Sequence, residues 1–349
     1  MNLTFSKIKK GFKYVVILNI LLLCFIVYQL FYSKYYWEGN EEKKFTVEPG
    51  KNLDDIILKL KKEDIISNPI LFKLAVKLSG KENQIISNSY LFKNGMSNSE
   101  LIENLTNKNL TQSLRITIPP GYSLKQISNL VQKKLSLSKE KFLEESASDS
   151  LINILGLSGQ VKNLEGFLFP DTYDVSPAIS EKNLVLLLFN EFRKKVFANK
   201  KILSGIEEQK TTLLKTITLA SIIEGETNID SEKPVIAGVY LNRIEKGMRL
   251  EADPTIQYIL PDGPKSRLLY EDLKINSPYN TYLIKGLPPG PINNPGIAAI
   301  EAAVDPVKHK YLFFVATGNG GHKFTENFEQ HLQAVKEYRN KIKNKNNKK

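Results

Sequence analysis

The sequence contains very little cysteine and histidine. Its 349 residues include one cysteine, Cys24, and three histidines, and neither a Cys-x-x-Cys nor a His-Glu-x-x-His pattern occurs. Disulfide-stapled and zinc-dependent classes of protein need these residues at defined spacings. We therefore expect no disulfide beyond the N-terminal segment, no protein-bound metal and no cofactor.

The usual sequence features of nucleic-acid binding are also missing, although the net charge is +12. The lysines are spread along the chain, and no zinc-finger spacing or aromatic-rich basic stripe accompanies them. The basic end, residues 341–349, is typical of a solvated tail or of a contact for an anionic polymer or lipid. We therefore do not expect nucleic acid among the partners.

One long uncharged run, YVVILNILLLCFIVYQLFY at residues 14–32, is long enough to cross a bilayer as a helix. Basic residues precede it and aromatic residues follow its far end: Lys7, Lys9, Lys10 and Lys13, then Tyr35, Tyr36 and Trp37. This order predicts a single-pass anchor in the cytoplasmic (inner) membrane, with the bulk of the chain outside the cytoplasm. A cleaved signal peptide is the alternative, but no A-x-A-like site follows the run.

Small strand–turn–helix units follow the anchor. TVEPGKNLDDI at 46–56 matches TIPPGYSLKQI at 117–127, and each predicts a strand, a Pro-Gly turn and a helix capped by Asn52 or Ser123. Between them, SYLFKNGMSNSELIENL predicts a strand, an Asn-Gly turn and a capping box from Ser97 to Glu100. Repetition alone does not show that these units bind anything.

The second half of the chain is mainly helical by pattern. We predict these elements: helices over 181–203, 207–226 and 233–246, a Pro- and Gly-rich shaped loop over 277–296, a helix over 296–304, a strand over 310–316 and a last helix over 326–343. The helix over 207–226 is apolar nearly all round, which is typical of a buried helix.

That buried helix ends in LASIIEGETN, which places two carboxylates, Glu224 and Glu226, after an apolar run. At about 100° per residue the two side chains point to nearly opposite sides of the helix, so they are not a natural pair for one substrate bond. Burial and the negative end of the helix raise the pKa of a carboxyl group in such a position, which suits a general acid. The alternative is structural: one glutamate pairs with Arg243 or caps a loop. Spacing alone does not choose between the two glutamates.

Four segments in this region resemble the endolytic murein transglycosylases of the YceG-like family. They are LASIIEGET, VYLNRIEKGMRLEADPTIQY, SPYNTYLIKGLPPGPINNPG and YLFFVATGNGGHKFTENFEQH, in the family's order. TVEPGKNLDDIILKL resembles the family's LysM-like subdomain and LEGFLFPDTY its connecting motif, so the resemblance covers roughly residues 44–340. Gly225 is a departure, because family members more often carry lysine or another larger residue there. We expect it to loosen the helix end.

The resemblance implies cleavage of the β-1,4 bond between N-acetylmuramic acid and N-acetylglucosamine inside peptidoglycan strands, and a role in terminating nascent strands. It implies that Glu224 protonates the glycosidic oxygen and then takes the proton of the muramic acid C6 hydroxyl, which attacks C1 and leaves a 1,6-anhydro end. Contact with peptidoglycan synthases is a further implication. The residues expected to bind substrate or support Glu224 are Glu226, Asn242, Arg243, Asp253, Tyr279, Asn280, Tyr282 and His322.

The predicted fold is α+β: an N-terminal transmembrane helix, small LysM-like α+β units and a mixed α+β catalytic domain. The predicted divisions are a basic N-terminus 1–13, the transmembrane helix 14–32, a linker 33–43, the LysM-like subdomain 44–112, a second small unit with the connecting motif 113–175, the catalytic domain 176–340 and the tail 341–349. Two other functions stay open: a non-catalytic peptidoglycan-binding scaffold, and a hydrolytic muramidase with Asp253 as second carboxylate.

Overall fold

A computed structural model describes residues 2–48, 50–107, 113–177, 179–261, 263–318 and 320–346. The chain divides into two compact units. Unit 1 is Met1–Arg115 with Asp174–Ile179, and unit 2 is Ile116–Tyr173 with Ser180–Lys349.

Unit 1 begins with the apolar helix. Its elements are α1 (Asn2–Val27), a π-helical turn (Tyr28–Tyr32), β1 (Glu42–Thr46), α2 (Leu53–Lys62), α3 (Pro69–Leu78), β2 (Ser89–Lys93) and α4 (Asn98–Thr106). Within the described residues, Lys13–Tyr32 is the one stretch long and apolar enough to cross a membrane. This agrees with the prediction of a single candidate anchor near the N-terminus.

The small module of unit 1 is a two-stranded sheet with helices. β1 and β2 pair antiparallel, with Phe45 opposite Tyr90. Its core contains Phe45, Phe72 and Phe92, each with no exposed surface. The predicted Asn52 cap is confirmed, since its side chain accepts the Asp55 backbone N–H at 2.9 Å.

The capping box of α4 is confirmed as well. Both of its bonds form, between the Ser97 side chain and the Glu100 backbone and between the Glu100 side chain and the Ser97 backbone. These caps satisfy backbone donors that a helix start leaves without partners. They fix where the helices of the small module begin.

Unit 2 is mainly helical. Its helices are α5 (Leu124–Leu135), α6 (Lys139–Ser146), α7 (Asp149–Ile154), α8 (Glu181–Phe192), α9 (Lys200–Glu208), α10 (Leu213–Glu226), α11 (Lys233–Glu245), α12 (Asp253–Ile259), α13 (Ile297–Val304) and α14 (Phe328–Asn346). Unit 2 also holds β5 (Phe313–Ala316), which pairs antiparallel with β6 (His322–Thr325). A further strand pair, β3 (Leu114–Thr117) with β4 (Thr172–Val175), has residues in each of the two units. The mixed α+β prediction is confirmed, and so is the Ser123 cap of α5.

Two predicted helix ranges were wrong. The helix predicted over 181–203 is α8, continued by a π-helical turn Arg193–Phe197, and the chain then starts a separate helix, α9. Asn199 causes the break, because its side chain accepts the backbone N–H of Lys201 at 3.0 Å and so caps the new helix. The helix predicted from 207 starts at Leu213 instead, capped by Thr212.

The central helix of unit 2 is α10, as its all-round apolar pattern predicts. Every residue from Thr216 to Glu224 is buried, and α10 packs against α11, α12 and α13. The loop over 277–296 contains no helix or strand, only turns, bends and an isolated antiparallel bridge from Asn294 to Tyr122, which confirms the shaped-loop prediction. Helix α10 ends beside that loop, whose Ile292 N–H donates to Ser221 Oγ at 3.0 Å.

Candidate active site

Glu224 lies in the last turn of α10 and is only 8% exposed. Two glycine turns enclose its side chain. A Cβ placed on Gly121 would lie 3.6 Å from Glu224 Cγ, and one on Gly296 would lie 3.4 Å from Glu224 Oε2. Gly121 also has a positive φ of 81°, which favours glycine. Both glycines therefore lie next to the Glu224 side chain, at ordinary packing distances.

Two donors bind the carboxylate of Glu224. Lys233 Nζ lies 3.1 Å from Oε1, and the backbone N–H of Gly296 donates to Oε2 over 3.0 Å. Lys233 is itself buried, with 4% of its surface exposed, and also pairs with Asp230 at 2.8 Å. Gly296 is the N-cap of α13, so the carboxylate also lies at the positive end of that helix. Glu224 is therefore held in one orientation by a side chain from α11 and a backbone donor at the start of α13.

Gly225 brings α10 and α12 together. A Cβ at this position would lie 2.6 Å from Pro254 Cβ, closer than packed side chains approach. α10 nevertheless stays helical through Glu226. The predicted loosening of the helix end was therefore wrong, because this glycine is a close-packing residue between two helices.

Glu226 has different partners from Glu224. The Tyr240 hydroxyl donates a short hydrogen bond to Glu226 Oε1. Burial raises the pKa of Glu226 to about 7, and the nearby Asp253 carboxylate adds to the rise, while the Tyr240 bond and Arg243 oppose it. The pKa expectation for a carboxyl group at this helix end is thus confirmed for Glu226.

A cleft of about 650 Å³ opens beside the end of α10. It is lined by residues of unit 2, including Gly121, Lys125, Glu165, Gly225, Glu226, Asp253, Gln257, Tyr258 and Asn293. Glu224 is not among the lining residues, but two of its neighbours are: Gly121, which lies against its side chain, and Gly225, the next residue in α10. The volume of the cleft is in the range of small-molecule sites.

Glu165 forms a buried network at the cleft wall. Its carboxyl oxygens accept the Leu124 backbone N–H at 3.0 and 3.1 Å and the Asn294 side-chain amide at 3.0 Å. Asn294 Nδ2 also donates to Tyr122 O at 2.9 Å. Glu165 therefore ties the start of α5 to the segment that ends in Gly296, the donor to Glu224.

The pKa of Glu165 is raised to about 8 by burial, against the opposing hydrogen bonds from Leu124, Tyr258 and Asn294. The folded protein thus keeps a proton that the unfolded chain releases above about pH 4. This contribution to stability is fully present below that pH and is lost as the pH rises through about 8.

We expect Glu165→Gln to remove this pH dependence, of up to about 1.4 kcal/mol per pH unit, because glutamine is neutral and keeps an acceptor oxygen. The free energy of unfolding, measured in urea from pH 5 to pH 9, tests this expectation. The stability of the variant relative to the wild type should increase as the pH rises. Glu226 acts in the same direction up to about pH 7, so Glu226→Gln is the matched control. Parallel profiles of Glu165→Gln and wild type would contradict the assignment.

Asp253, Tyr282 and Tyr279 lie near the cleft. Asp253 begins α12, lines the cleft and accepts the Tyr282 hydroxyl at 2.5 Å. The Tyr279 ring packs against the cleft-lining Tyr258, with centroids 5.2 Å apart. These side chains join the loop to α12 and shape the rim beside Glu226.

Three of the predicted site residues bond to backbone carbonyls instead: Asn242, Arg243 and Asn280. Asn242 donates to the carbonyls of His309 and Tyr311, at 2.8 and 3.0 Å. Asn280 is fully buried and donates to two carbonyls of its own loop, at 2.9 and 2.8 Å. None of the three is among the residues that line the cleft. The side-chain donors of all three bond to backbone carbonyls, and their role in binding substrate or supporting Glu224 stays a prediction.

Arg243 holds the backbone around α12. It donates to Leu312 O at 2.6 Å and to Leu250 O at 2.8 Å, and it pairs with Glu251 at 3.2 Å rather than with Glu224 or Glu226. The first form of the structural alternative, a pair with Arg243, is therefore wrong, whereas the second, a glutamate that caps a loop, is met by the bond from the Gly296 N–H to Glu224. The buried partner of Glu224 is Lys233.

We expect Arg243→Lys to destabilise the protein by about 2–4 kcal/mol, because lysine cannot satisfy several carbonyls at once. Urea denaturation followed by circular dichroism measures this cost. The strand-cleavage rate per folded molecule should fall far less than after substitution of Glu224. A variant of wild-type stability without cleavage would instead make Arg243 a catalytic residue.

His322 is bonded to Glu232, the residue before Lys233. Its Nδ1 lies 2.7 Å from Glu232 Oε2, and its backbone N–H donates to Glu232 Oε1 at 2.7 Å. Thr227 Oγ1 contacts the same carboxylate at 3.3 Å. His322 thus fixes the turn between α10 and α11, immediately before Lys233.

Sequence reasoning missed Lys233 and Glu165. Lys233 begins α11 immediately before Pro234, at a helix start where a lysine is most often solvent-exposed, and only the fold turns it back onto α10. Glu165 had a detectable signal, since it is a single acidic residue between Leu164 and the aromatic run GFLF. A carboxylate in such surroundings must be hydrogen-bonded or protonated.

These features define a class of protein: an enzyme of α+β fold with a buried glutamate at a cleft wall and a candidate N-terminal membrane anchor. Comparisons with known proteins agree. A sequence profile of the YceG-like family matches residues 45–337, and the chain belongs to this family.

Named relatives and a solved structure support the membership. An endolytic murein transglycosylase of Bacillus subtilis is 33% identical over 84% of this chain and 83% of its own length. One of Streptococcus pneumoniae is 28% identical over 87% of this chain and 60% of its own length. The crystal structure of a YceG-like protein from Listeria monocytogenes matches with a TM-score of 0.58 and 30% identity, covering 84% of this chain and 99% of that one. The chain is an enzyme of the lytic transglycosylase class, a lyase.

Proposed function

We propose that this protein is an endolytic lytic transglycosylase of peptidoglycan that leaves 1,6-anhydro-N-acetylmuramic acid ends. The observation that carries the proposal is the binding of the buried Glu224 by Lys233 and Gly296, apart from Glu226 and Asp253, two carboxylates that line the cleft. Among the hydrogen bonds of the described residues, neither Glu226 nor Asp253 shares a partner with Glu224. A single acid suits a reaction in which the sugar supplies its own nucleophile.

In the proposed reaction Glu224 first protonates the glycosidic oxygen between N-acetylmuramic acid and N-acetylglucosamine. It then takes the proton from the C6 hydroxyl of the same muramic acid, whose oxygen attacks C1. The C1–O bond to the leaving sugar breaks, and no water is consumed. Lys233 and the Gly296 N–H stabilise the carboxylate form that acts in the second step.

Positioning of the C6 hydroxyl is the main task left to the cleft, because an intramolecular attack gains most from orientation. Tyr258, Asn293 and Gln257 line the cleft, and protein contacts fix their positions: the Gln257 amide bonds to the Lys265 backbone, and Asn293 Nδ2 donates to Ser221 O. Asp253 is held by Tyr282 at the same rim. These residues are proposed to bind the strand rather than to take part in proton transfer.

The same proposal covers the placement in the cell. Lys13–Tyr32 anchors the protein in the cytoplasmic membrane, with unit 2 on the outside, where nascent strands are made. Cleavage there would terminate growing strands, and contact with peptidoglycan synthases would follow from this location. The β1-α2-α3-β2 module of unit 1 is proposed to be LysM-like.

Product analysis tests the reaction. Purified glycan strands are digested with the wild-type protein, and the new ends are identified by mass spectrometry. We expect anhydro ends, lighter by one water than reducing ends. Reducing ends would mean that water attacks C1 and that the protein is a muramidase. If no new ends of either kind form, the protein is a peptidoglycan-binding scaffold rather than an enzyme that cleaves strands.

A further inference from the structure

Helix α3 of unit 1 has an apolar surface that the protein does not cover. Ile70 is 77% exposed, Leu71 39%, Leu74 45% and Leu78 65%. Two of these leucines follow Ile70 at steps of four residues, and Leu71 lies beside it on the same side, so the four form one stripe along the helix. We call them the α3 stripe.

The opposite side of α3 is a normal protein core. Phe72, Ala75 and Val76 are at most 1% exposed and belong to the hydrophobic core of unit 1. At about 100° per residue, Lys73 and Lys77 fall on one flank of the stripe, between it and the core side. Helix α3 therefore has a core face, a basic edge and an apolar face, an order typical of helices that lie in a membrane interface.

The end of the candidate membrane span packs directly on α3. The π-helical turn Tyr28–Tyr32 contacts both α3 and α4. Leu30 is 4% exposed and belongs to the same core as Phe72, and Asn98 Nδ2 donates to Leu30 O at 2.8 Å. The span thus runs into the folded module without a flexible joint.

Further bonds fix the residues that follow the span. The Tyr35 backbone N–H donates to Met96 O at 3.4 Å, and the Tyr35 hydroxyl donates to Asp64 at 2.6 Å. Trp37 is 4% exposed in the same core. A helix in contact with the last turns of a span lies within about one helix diameter, roughly 10–12 Å, of the membrane surface.

We propose that the α3 stripe inserts into the outer face of the same membrane and that α3 is an interfacial helix. The proposal rests on the proposed anchoring by Lys13–Tyr32. A bilayer is the occupant that the observations favour, because the stripe belongs to a module held rigidly at the end of the span. Lys73 already pairs with Asp54 at 2.5 Å, so the flanking Lys77 is the cation that matches the phosphate groups of lipids beside an apolar surface.

Insertion would hold the small module flat against the bilayer. A single span leaves a protein free to tilt about its end, whereas a span and an interfacial helix fixed to each other define one orientation. The module could then keep a constant distance from the membrane.

Spin-label measurements on the full chain in vesicles of phosphatidylethanolamine and phosphatidylglycerol test the proposal. A nitroxide is placed on Cys24 of the wild type, and on Leu74→Cys or Leu91→Cys in a Cys24→Ser background. Collisions with lipid-soluble oxygen and with a water-soluble nickel chelate then give its depth. Leu91 is the matched control, being 41% exposed on β2 between the buried Tyr90 and Phe92.

We expect the label on Leu74 to be protected from nickel several-fold relative to the label on Leu91, at a depth of about 5–10 Å. A label on Leu78→Cys should lose that protection when Leu74→Glu is added, because a charge opposes insertion. Equal nickel access at Leu74 and Leu91 would overturn the proposal. So would protection that disappears on dilution of protein in lipid, since a second copy would then cover the stripe.

The label on Cys24 separates the two proposals. If the nickel chelate does not reach the label on Cys24 but does reach the label at position 74, the proposed membrane anchor holds and the proposed interfacial helix fails. If nickel reaches Cys24 itself, the proposed membrane anchoring fails, and the interfacial helix fails with it.

Discussion

Glu224→Gln should lower the rate of glycan-strand cleavage by about 10²–10⁴-fold, the usual contribution of a positioned general acid and base. Glutamine has nearly the same size and can still accept the Gly296 N–H, so the enclosure by Gly121 and Gly296 need not change. What it lacks is a proton to give to the glycosidic oxygen and a charge to receive one from the C6 hydroxyl. The loss should therefore appear in the chemical step rather than in strand binding.

Glu226→Gln is the matched control for this experiment. The two glutamates are two residues apart on α10, and both are hydrogen-bonded, but Glu226 bonds to Tyr240 rather than to Lys233. We expect this variant to lose far less activity, because the assignment gives it no proton-transfer step. Product formation from defined strands, with thermal unfolding to verify the fold, measures both. Comparable losses in the two variants, or full activity in Glu224→Gln, would contradict a one-glutamate site.

Local features of the fold were predictable because local chemistry determines them. The caps at Asn52, Ser97 and Ser123 depend on short side chains that reach backbone donors three residues ahead, and the structure forms all three. The burial of α10 followed from its apolar circumference. A sequence pattern was sufficient wherever the deciding contact lies within one turn of helix.

Contacts between distant segments were not predictable in the same way. The break between α8 and α9 was missed because residues 181–203 keep an apolar pattern through it, and the Asn199 cap looks like an ordinary polar position. Asn242 and Arg243 were expected beside the substrate, but their donors satisfy carbonyls near residues 309–312. Such pairings depend on where the chain returns, which periodicity does not report.

The active-site motif shows the same limit. The family resemblance selects Glu224, and helical geometry separates it from Glu226. Neither reveals that Lys233 turns back to bind Glu224, or that Gly296 donates its N–H from the start of α13. The Pro- and Gly-rich loop sets the position of Gly296, and the turn Asp230–Glu232 sets the position of Lys233. The electrostatic environment of the acid was therefore visible only in three dimensions.

Lys233→Met should reduce the free energy of unfolding by about 3–5 kcal/mol, because it leaves a buried carboxylate without its cation. The side chains of Lys233 and Glu224 are each 5% exposed, so water cannot replace the lost partner. Asp230, the other partner of Lys233, is largely exposed at 74% and should contribute little to the cost. Methionine keeps most of the lysine volume, so the measured effect is electrostatic rather than a cavity.

A double-mutant cycle isolates this ion pair from general damage to the fold. Adding Glu224→Gln to Lys233→Met removes the unpaired charge, so the double variant should be more stable than Lys233→Met alone while staying inactive. We expect a coupling free energy of about 1–3 kcal/mol by urea denaturation. Lys233→Arg should recover part of the stability and activity, since it restores the cation with a different shape. Additive effects in the cycle would show that Lys233 serves Asp230 and the turn rather than Glu224, and the proposed stabilisation of the catalytic carboxylate would then be lost.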